Sequence, residues 1–105
     1  MAFTGNENHD ITLEEASALT EAYRDSQTTS DYIKAEFFGK TALLEILNQE
    51  NCVGIRIYYG IDSNGIPRQI LVGAAANEDD LVSGKIAEKG ILCPAQCSSS
   101  NSLNS

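Results

Sequence analysis

The sequence predicts an α+β fold in which two main helices pack on a small antiparallel sheet. Three observations predict it: apolar residues recur at helical spacing in the first half, two alternating runs follow, and turn residues separate those runs. The chain has 105 residues and is 42% hydrophobic, which suffices for one core, so we expect a single domain over 1–105. The polar ends, 1–10 and 98–105, are expected to be flexible or ordered by contacts.

The first helix is predicted from about Leu13 to Asp25. Thr12 and Glu15 match the S/T-x-x-E capping box, in which each side chain accepts a hydrogen bond from the other residue's backbone. Apolar residues then follow at spacings of three and four residues, as on one face of a helix. They are Leu13, Ala16, Leu19, Ala22 and Tyr23.

A second helix is predicted from about Lys40 to Asn48. Apolar residues cover most of its circumference, so we expect this helix to lie between two layers of the fold. In the preceding segment, Ser30 is expected to cap a short helical turn through Tyr32 to Phe37.

The segment 53–76 is predicted to form a β-hairpin. Branched aliphatic residues alternate with glycine, arginine and tyrosine on both sides of the turn sequence 62–65, where Gly65 can adopt positive φ. Nearly all the aliphatic side chains share one face if Ile61 pairs with Ile66, so we expect that register. It also pairs Ile57 with Ile70, Ile55 with Val72 and Val53 with Ala74.

The opposite face of the predicted hairpin is the candidate interaction surface. In the expected register it contains three adjacent pairs: Gly54 with Gly73, Arg56 with Leu71, and Tyr58 with Gln69. Two facing glycines are typical of a bulge or of close approach by another segment of the chain. The alternative is a contact surface for a ligand or a second subunit, where tyrosine and arginine are enriched.

The segment after Asn77 allows two interpretations. Leu81–Lys89 has features of a short helix followed by Gly90, although Gly84 lies inside it. We favour a loop that leads into a third strand around Lys85 to Leu92, because a two-stranded hairpin alone is marginally stable.

Composition excludes several functions. The net charge is −8 and no cluster of lysine and arginine is present, so we expect no nucleic-acid partner. No apolar run approaches the ~20 residues of a membrane span, so we expect no membrane partner and a cytoplasmic location. Catalytic motifs are missing, and Gly39-Lys40-Thr41 is not a P-loop because Lys34 replaces the first glycine. We expect no catalytic residue.

The cysteines suggest a second kind of site. Cys93 and Cys97 are four residues apart, and with Cys52 and His9 they supply the four ligands that tetrahedral zinc needs. The C-x3-C spacing is neither the usual zinc pair nor the C-x2-C of thioredoxin-like proteins. In the cytoplasm we expect reduced thiols that shape a turn. A metal site, or a redox pair closing a small disulfide ring, is the alternative.

Several stretches resemble a group of short uncharacterised bacterial proteins with a C-P-x-x-C-like ending. The resemblance rests on Phe37–Lys40, Gly54–Gly60, Leu71–Gly73, Cys93-Pro94 with Cys97, and Asn101–Asn104. It covers most of the chain and implies a compact bacterial domain. Because the group has no assigned activity, the resemblance implies no catalytic or binding residue.

Two hypotheses of function follow. The first is a non-enzymatic interaction or structural module that binds itself or another protein, because catalytic groups are absent and the hairpin has an edge open to strand pairing. The second is a metal-binding or thiol-redox-responsive protein that uses Cys93 and Cys97, with zinc as the metal.

Overall fold

The computed structural model describes residues 2–105 and confirms the α+β fold. This part of the chain contains two helices and five strands. In chain order they are α1 (Leu13–Asp25), β1 (Ala35–Phe37), α2 (Lys40–Leu47), β2 (Cys52–Ile61), β3 (Pro67–Ala75), β4 (Ile86–Ala87) and β5 (Ile91–Cys93).

The chain divides into two compact units. The first joins the N-terminal segment up to Glu7 to Glu36–Ile91, and the second joins Asn8–Ala35 to Leu92–Ser105. The strands β1 and β5 pair in a two-stranded sheet, and the chain passes from one unit to the other within these two strands.

The first unit is a three-stranded sheet, in the order β2-β3-β4, with α2 packed against β2 and β3. Its core consists of Ile46, Leu71 and Ala87, all buried, with Phe38 and Ile55 among the residues packed around them. The second helix and the hairpin are therefore confirmed. The segment after Asn77 forms a loop and a third strand, β4, which pairs antiparallel with β3.

The predicted hairpin register is wrong by one residue. Ile57 lies opposite Leu71, Tyr58 opposite Ile70, and Ile61 opposite Pro67 instead of Ile66. The prediction assumed that only one face of the hairpin is buried. In β3, however, the neighbouring residues Leu71 and Val72 point to opposite faces and are each 4% exposed, so the aliphatic pattern did not discriminate between registers.

The turn between β2 and β3 sets the observed register. The Asp62 amide donates to the Ile66 carbonyl at 3.0 Å. Asp62, and not Ile61 as predicted, is therefore the residue opposite Ile66. The Asp62 carboxylate accepts from the Asn64 and Ile66 amides at 2.8 and 3.0 Å. Hydrogen bonds to these backbone amides, the Ile66 amide foremost, lower the pKa of Asp62 below its ordinary value.

In the second unit, α1 begins and ends as predicted. Thr12 accepts from the Glu15 amide and the Glu15 carboxylate accepts from the Thr12 amide, which confirms the capping box. The predicted helical turn through Tyr32 to Phe37 is wrong, because this segment enters strand β1. A non-local partner decides this: the Lys34 amide donates to the Cys93 carbonyl at 2.7 Å.

The tail 98–105 is ordered by contacts within its own chain. Asn104 and Asn101 form a local turn, since the Asn101 amide donates to the Asn104 side chain at 2.8 Å. Lys34 Nζ donates to the Asn104 carbonyl at 2.9 Å, and the Ser17 hydroxyl bonds that of Ser102.

Candidate functional site

The residues of the predicted interaction surface lie on two faces of the hairpin. Because directly paired residues share a face, the observed register places Gly54, Arg56 and Tyr58 on one face and Gln69, Leu71 and Gly73 on the other. Within the second set, Leu71 belongs to the core. The predicted surface is therefore not one continuous patch.

The two glycines also differ in their surroundings. A Cβ built on Gly73 would lie 2.9 Å from Gln49 Nε2 and 3.0 Å from Cys52 Sγ, so the chain's own side chains cover that position. A Cβ on Gly54 would have nothing within 4 Å. Gly73 therefore matches the close-approach interpretation, whereas Gly54 is open.

Arg56 and Tyr58 share one acceptor, the carboxylate of Asp80. An Arg56 Nη donates to one carboxylate oxygen and the Tyr58 hydroxyl donates to the other. The same Nη donates to the Glu78 carbonyl at 3.0 Å, and the guanidinium carbon lies 5.4 Å from the centre of the Phe3 ring. Sequence reasoning missed Asp80, because only the fold of the turn after β3 brings it back to the sheet, as a bridge partner of Ala74.

The charges of Arg56 and Asp80 are paired within this cluster. The hydrogen bonds from Tyr58 and then Arg56 lower the pKa of Asp80 below its ordinary value, and the hydrogen bond to Asp80 raises the pKa of Tyr58. An open cleft of about 560 Å³ is lined by Asp80 itself, together with Val53 and Asp79 among others. Because one Arg56 Nη and the Tyr58 hydroxyl bond Asp80, the cluster holds the turn 77–80 against β2.

The outer edge of β2, which we define as the side of residues 55–61 away from β3, is open. β2 is the end strand of its sheet, and within residues 2–105 no backbone hydrogen bond other than those to β3 reaches residues 55–61. The exposed large side chains here include Tyr59, 91% exposed, and Ile61, 74% exposed, with Ile57 and Tyr58 about half exposed.

The hydrogen-bond pattern shows which backbone groups point outward. Antiparallel ladders alternate between hydrogen-bonded and non-hydrogen-bonded pairs. Counting from the Asp62–Ile66 bond, residues Gly60, Tyr58 and Arg56 bond to β3. The N–H and C=O groups that point away from β3 therefore belong to Ile55, Ile57, Tyr59 and Ile61.

On the opposite side of β3, the part of the strand beyond β4 is capped by a side chain. The Gln69 amide points away from β2, beyond the end of β4, and donates to Glu36 Oε1 at 2.7 Å. Its neighbour Arg68 donates to the Gly90 carbonyl at 3.1 Å. Glu36 Oε2 is buried and has no hydrogen-bond partner in the described chain. Glu36 thus takes the place of a further strand residue beside β3.

The cysteines differ from the expected reduced thiols. Cys93 and Cys97 form a disulfide, while Cys52 is free and lies near the Gly54 carbonyl. Cys93 is 5% exposed, whereas Cys97 is exposed. Among residues 2–105 no group of three or more His, Cys, Asp and Glu side chains is placed to hold a metal. The set Cys93, Cys97, Cys52 and His9 is therefore not assembled, and a disulfide leaves its sulfurs without the thiolate that zinc binds.

No protein-family model, curated protein or solved structure compared with this chain matches it. Over residues 2–105, no helix is long and apolar enough to cross a membrane.

Proposed function

We propose that this protein is a non-enzymatic interaction module that self-associates through the outer edge of β2. The observation that supports the proposal is a long, apolar edge strand whose outward backbone groups have no partner within the described chain. Such an edge is a template for strand addition, in which main-chain hydrogen bonds give affinity and side chains give specificity.

The edge lacks the usual devices that prevent pairing. Edge strands are commonly protected by lysine, proline, short length or an inward-pointing charge. β2 runs from Cys52 to Ile61, has no lysine or proline, and carries a single charge, on Arg56, which is already bound to Asp80. Its one register shift lies at Cys52/Gly54, outside the outer edge.

A proline substitution at Ile57, combined with measurement of the mass in solution by sedimentation, tests the proposal. The Ile57 amide points outward, so Ile57→Pro removes a donor for the second copy and leaves the bonds to β3 intact, a position where edge strands accept proline. We expect the wild type to sediment as a dimer and Ile57→Pro as a monomer with an unchanged far-ultraviolet spectrum. Ile57→Val, which keeps the amide, is the matched control and should remain a dimer.

Two results would overturn the proposal. One is a wild-type protein that stays monomeric at about 1 mM, a concentration at which even a weak contact of about −4 kcal/mol is half occupied. The other is an Ile57→Pro variant that associates as strongly as the wild type.

A thiol-redox role for Cys93 and Cys97 is the second candidate function, and the observed disulfide favours it over metal binding. Cys97 is exposed, so the thiolate of a dithiol reductant has access to its sulfur. The bridge would then open to two thiols as the reductant closes its own disulfide. The pair would act reversibly if its reduction potential lies near that of the cytoplasmic thiol pool.

Equilibration in dithiol buffers, followed by alkylation and mass measurement, tests this candidate. A midpoint between about −180 and −280 mV supports a reversible pair, whereas a value below about −300 mV assigns the bridge a structural role. The Cys52→Ser variant, which keeps the pair and has no other cysteine, is the control for alkylation of Cys52.

We also propose a cytoplasmic location and membership of the bacterial group that the chain resembles. In the cytoplasm the pair would be held largely as thiols, and the disulfide would be its oxidised form. Trapping the thiols by alkylation in freshly lysed cells tests the location: a fully oxidised pair would contradict it.

A further inference from the structure

We infer that two copies pair their β2 strands antiparallel about a two-fold axis at Tyr58, so that Tyr58 of each copy lies opposite Tyr58 of the other. This inference rests on the proposed function and specifies the partner, a second copy of this chain, and the register. The two sheets would then form one continuous six-stranded sheet.

The outward backbone groups select this register. New hydrogen bonds form only between outward-pointing residues, which are Ile55, Ile57, Tyr59 and Ile61. An axis at Tyr58 pairs all of these residues with one another: Ile55 with Ile61, and Ile57 with Tyr59. Any other axis leaves at least one outward residue of this set without a partner from the set.

The N-terminal segment blocks one of the two nearest alternatives, the axis at Ile57. An axis at Ile57 would pair Ile61 of one copy with Val53 of the other. Gly5 lies against Val53, since a Cβ on Gly5 would be 2.8 Å from the Val53 carbonyl oxygen. That carbonyl is covered by the chain itself, so the ladder cannot extend to Val53 without displacing residues near Gly5.

Side chains favour the same axis. On one face it places aliphatic and aromatic side chains opposite each other, which stabilises cross-strand pairs, and it covers Tyr59 and Ile61, the most exposed residues of β2. On the other face it places Arg56 opposite Gly60, which has no side chain to meet it. An axis at Arg56 would instead place two guanidinium groups opposite each other, which is unfavourable.

The expected affinity is modest. An aromatic side chain covers about 150–250 Å², so the exposed side chains of residues 57–61 supply less than the ~800 Å² per partner of a standard complex. We therefore expect a dissociation constant on the order of 10–100 µM.

Cysteine cross-linking tests the register. In a Cys52→Ser background with the Cys93–Cys97 bridge intact, Tyr58→Cys is oxidised with glutathione disulfide at a concentration where the wild type is dimeric. Directly opposite residues of a non-hydrogen-bonded pair lie about 4.5 Å apart at Cα, within disulfide range, whereas diagonal residues lie about 7–8 Å apart. We expect most of Tyr58→Cys to become a covalent dimer, several-fold more than Ile57→Cys or Tyr59→Cys.

Hydrogen exchange of the wild type provides a second test that no substitution affects. We expect the amides of Ile55, Ile57, Tyr59 and Ile61 to exchange at least about tenfold more slowly at dimeric than at monomeric concentrations. A dimer that cross-links best through Ile57→Cys, or that does not protect these amides, overturns the register and leaves self-association in place. A protein that shows no dimer by mass overturns the proposed function as well.

Discussion

At the residue scale, Asp80 determines what Arg56 and Tyr58 can do. Tyrosine and arginine on a sheet face are typical of binding surfaces, and the sequence alone left that interpretation open beside close approach within the chain. The structure instead shows both side chains donating to Asp80. They hold the turn after β3 against β2, on the sheet face that carries Tyr58, the residue through which the proposed two-fold axis passes.

Tyr58→Phe removes the hydroxyl that makes the largest contribution to the low pKa of Asp80. We expect the pKa of Asp80 to rise toward its ordinary value, because the carboxylate loses a donor that favours its charged form. Carbon-13 NMR titration of the aspartate carboxyl groups measures this shift. Tyr59→Phe is the control, and an unchanged Asp80 titration in Tyr58→Phe would contradict the bond.

The same carboxylate makes stability depend on pH. A folded-state pKa below the unfolded value means that the unfolded chain binds the proton first, so the contribution of Asp80 is present above the unfolded pKa of about 3.9. It is lost as the pH falls through the folded pKa. We expect urea unfolding to show the wild type more stable than Asp80→Asn at pH 7, with the difference vanishing in acid. A difference that persists in acid would exclude this linkage.

At the element scale, the turn of the hairpin is as important as its strands. The chain reverses through residues 62–66, where the Asp62 carboxylate accepts backbone amides and Gly65 has φ +79°. The turn chemistry was predictable from Asp62 and Gly65. The residue that lies opposite Ile66 was not, because it depends on the backbone bond between Asp62 and Ile66.

Gly65→Ala should destabilise the protein by about 1–2 kcal/mol, the cost of a left-handed conformation for a residue with a Cβ. Gly54→Ala is the matched control, since it lies in the same hairpin, has negative φ and has open space around its Cβ position. Denaturant unfolding compares the two variants. Equal stability losses would contradict the role of positive φ at Gly65.

Helix α1 shows how well residues adjacent in sequence predict the bounds of a helix. Its bounds were predictable because the capping box lies in adjacent sequence, and Thr12→Ala should lower the free energy of unfolding by about 1 kcal/mol. Thr12→Ser, which keeps the acceptor oxygen, should lose less. Circular dichroism during urea unfolding measures both, and a neutral Thr12→Ala would show that the cap does not contribute.

The unpredicted parts share one physical cause. Strand β1 forms because it pairs with β5 and the Lys34 amide donates to the Cys93 carbonyl. Asp80 reaches Arg56 through a turn that no local pattern specifies. Local spacing identified α1, α2 and the hairpin, whereas contacts between distant segments decided the register and the candidate site. The open edge of β2 was anticipated, but its position at residues 55–61 required the observed strand order.

At the scale of the whole molecule, the net negative charge opposes the proposed self-association, while the outer edge of β2 favours it. Each copy carries a net charge of −8, so two copies repel each other at long range, whereas β2 itself contains no acidic residue. The repulsion comes from dispersed surface charges that salt screens, whereas the proposed strand pairing would depend on hydrogen bonds and apolar contacts that salt affects little.

We therefore expect salt to strengthen the dimer. Raising the ionic strength from about 0.01 M to 0.15 M shortens the Debye length from about 30 Å to about 8 Å, and the dissociation constant should fall by at least about threefold. Sedimentation equilibrium across this range measures the effect. A dimer that dissociates as salt rises would indicate that ion pairs hold it together and would contradict pairing through the apolar edge.

The carboxylate of Glu36 has a consequence for how far assembly can proceed. Because Glu36 Oε1 accepts from the Gln69 amide, it occupies the side of β3 where an incoming strand would continue the short β4, so that part of β3 is not open to a further strand. A sheet with two long open sides can add copies without limit and become a fibre, whereas this sheet has one long open side and, on the other, an end strand of only two residues. In the proposed pairing through β2, Glu36 would therefore favour a closed pair over an amyloid-like ribbon.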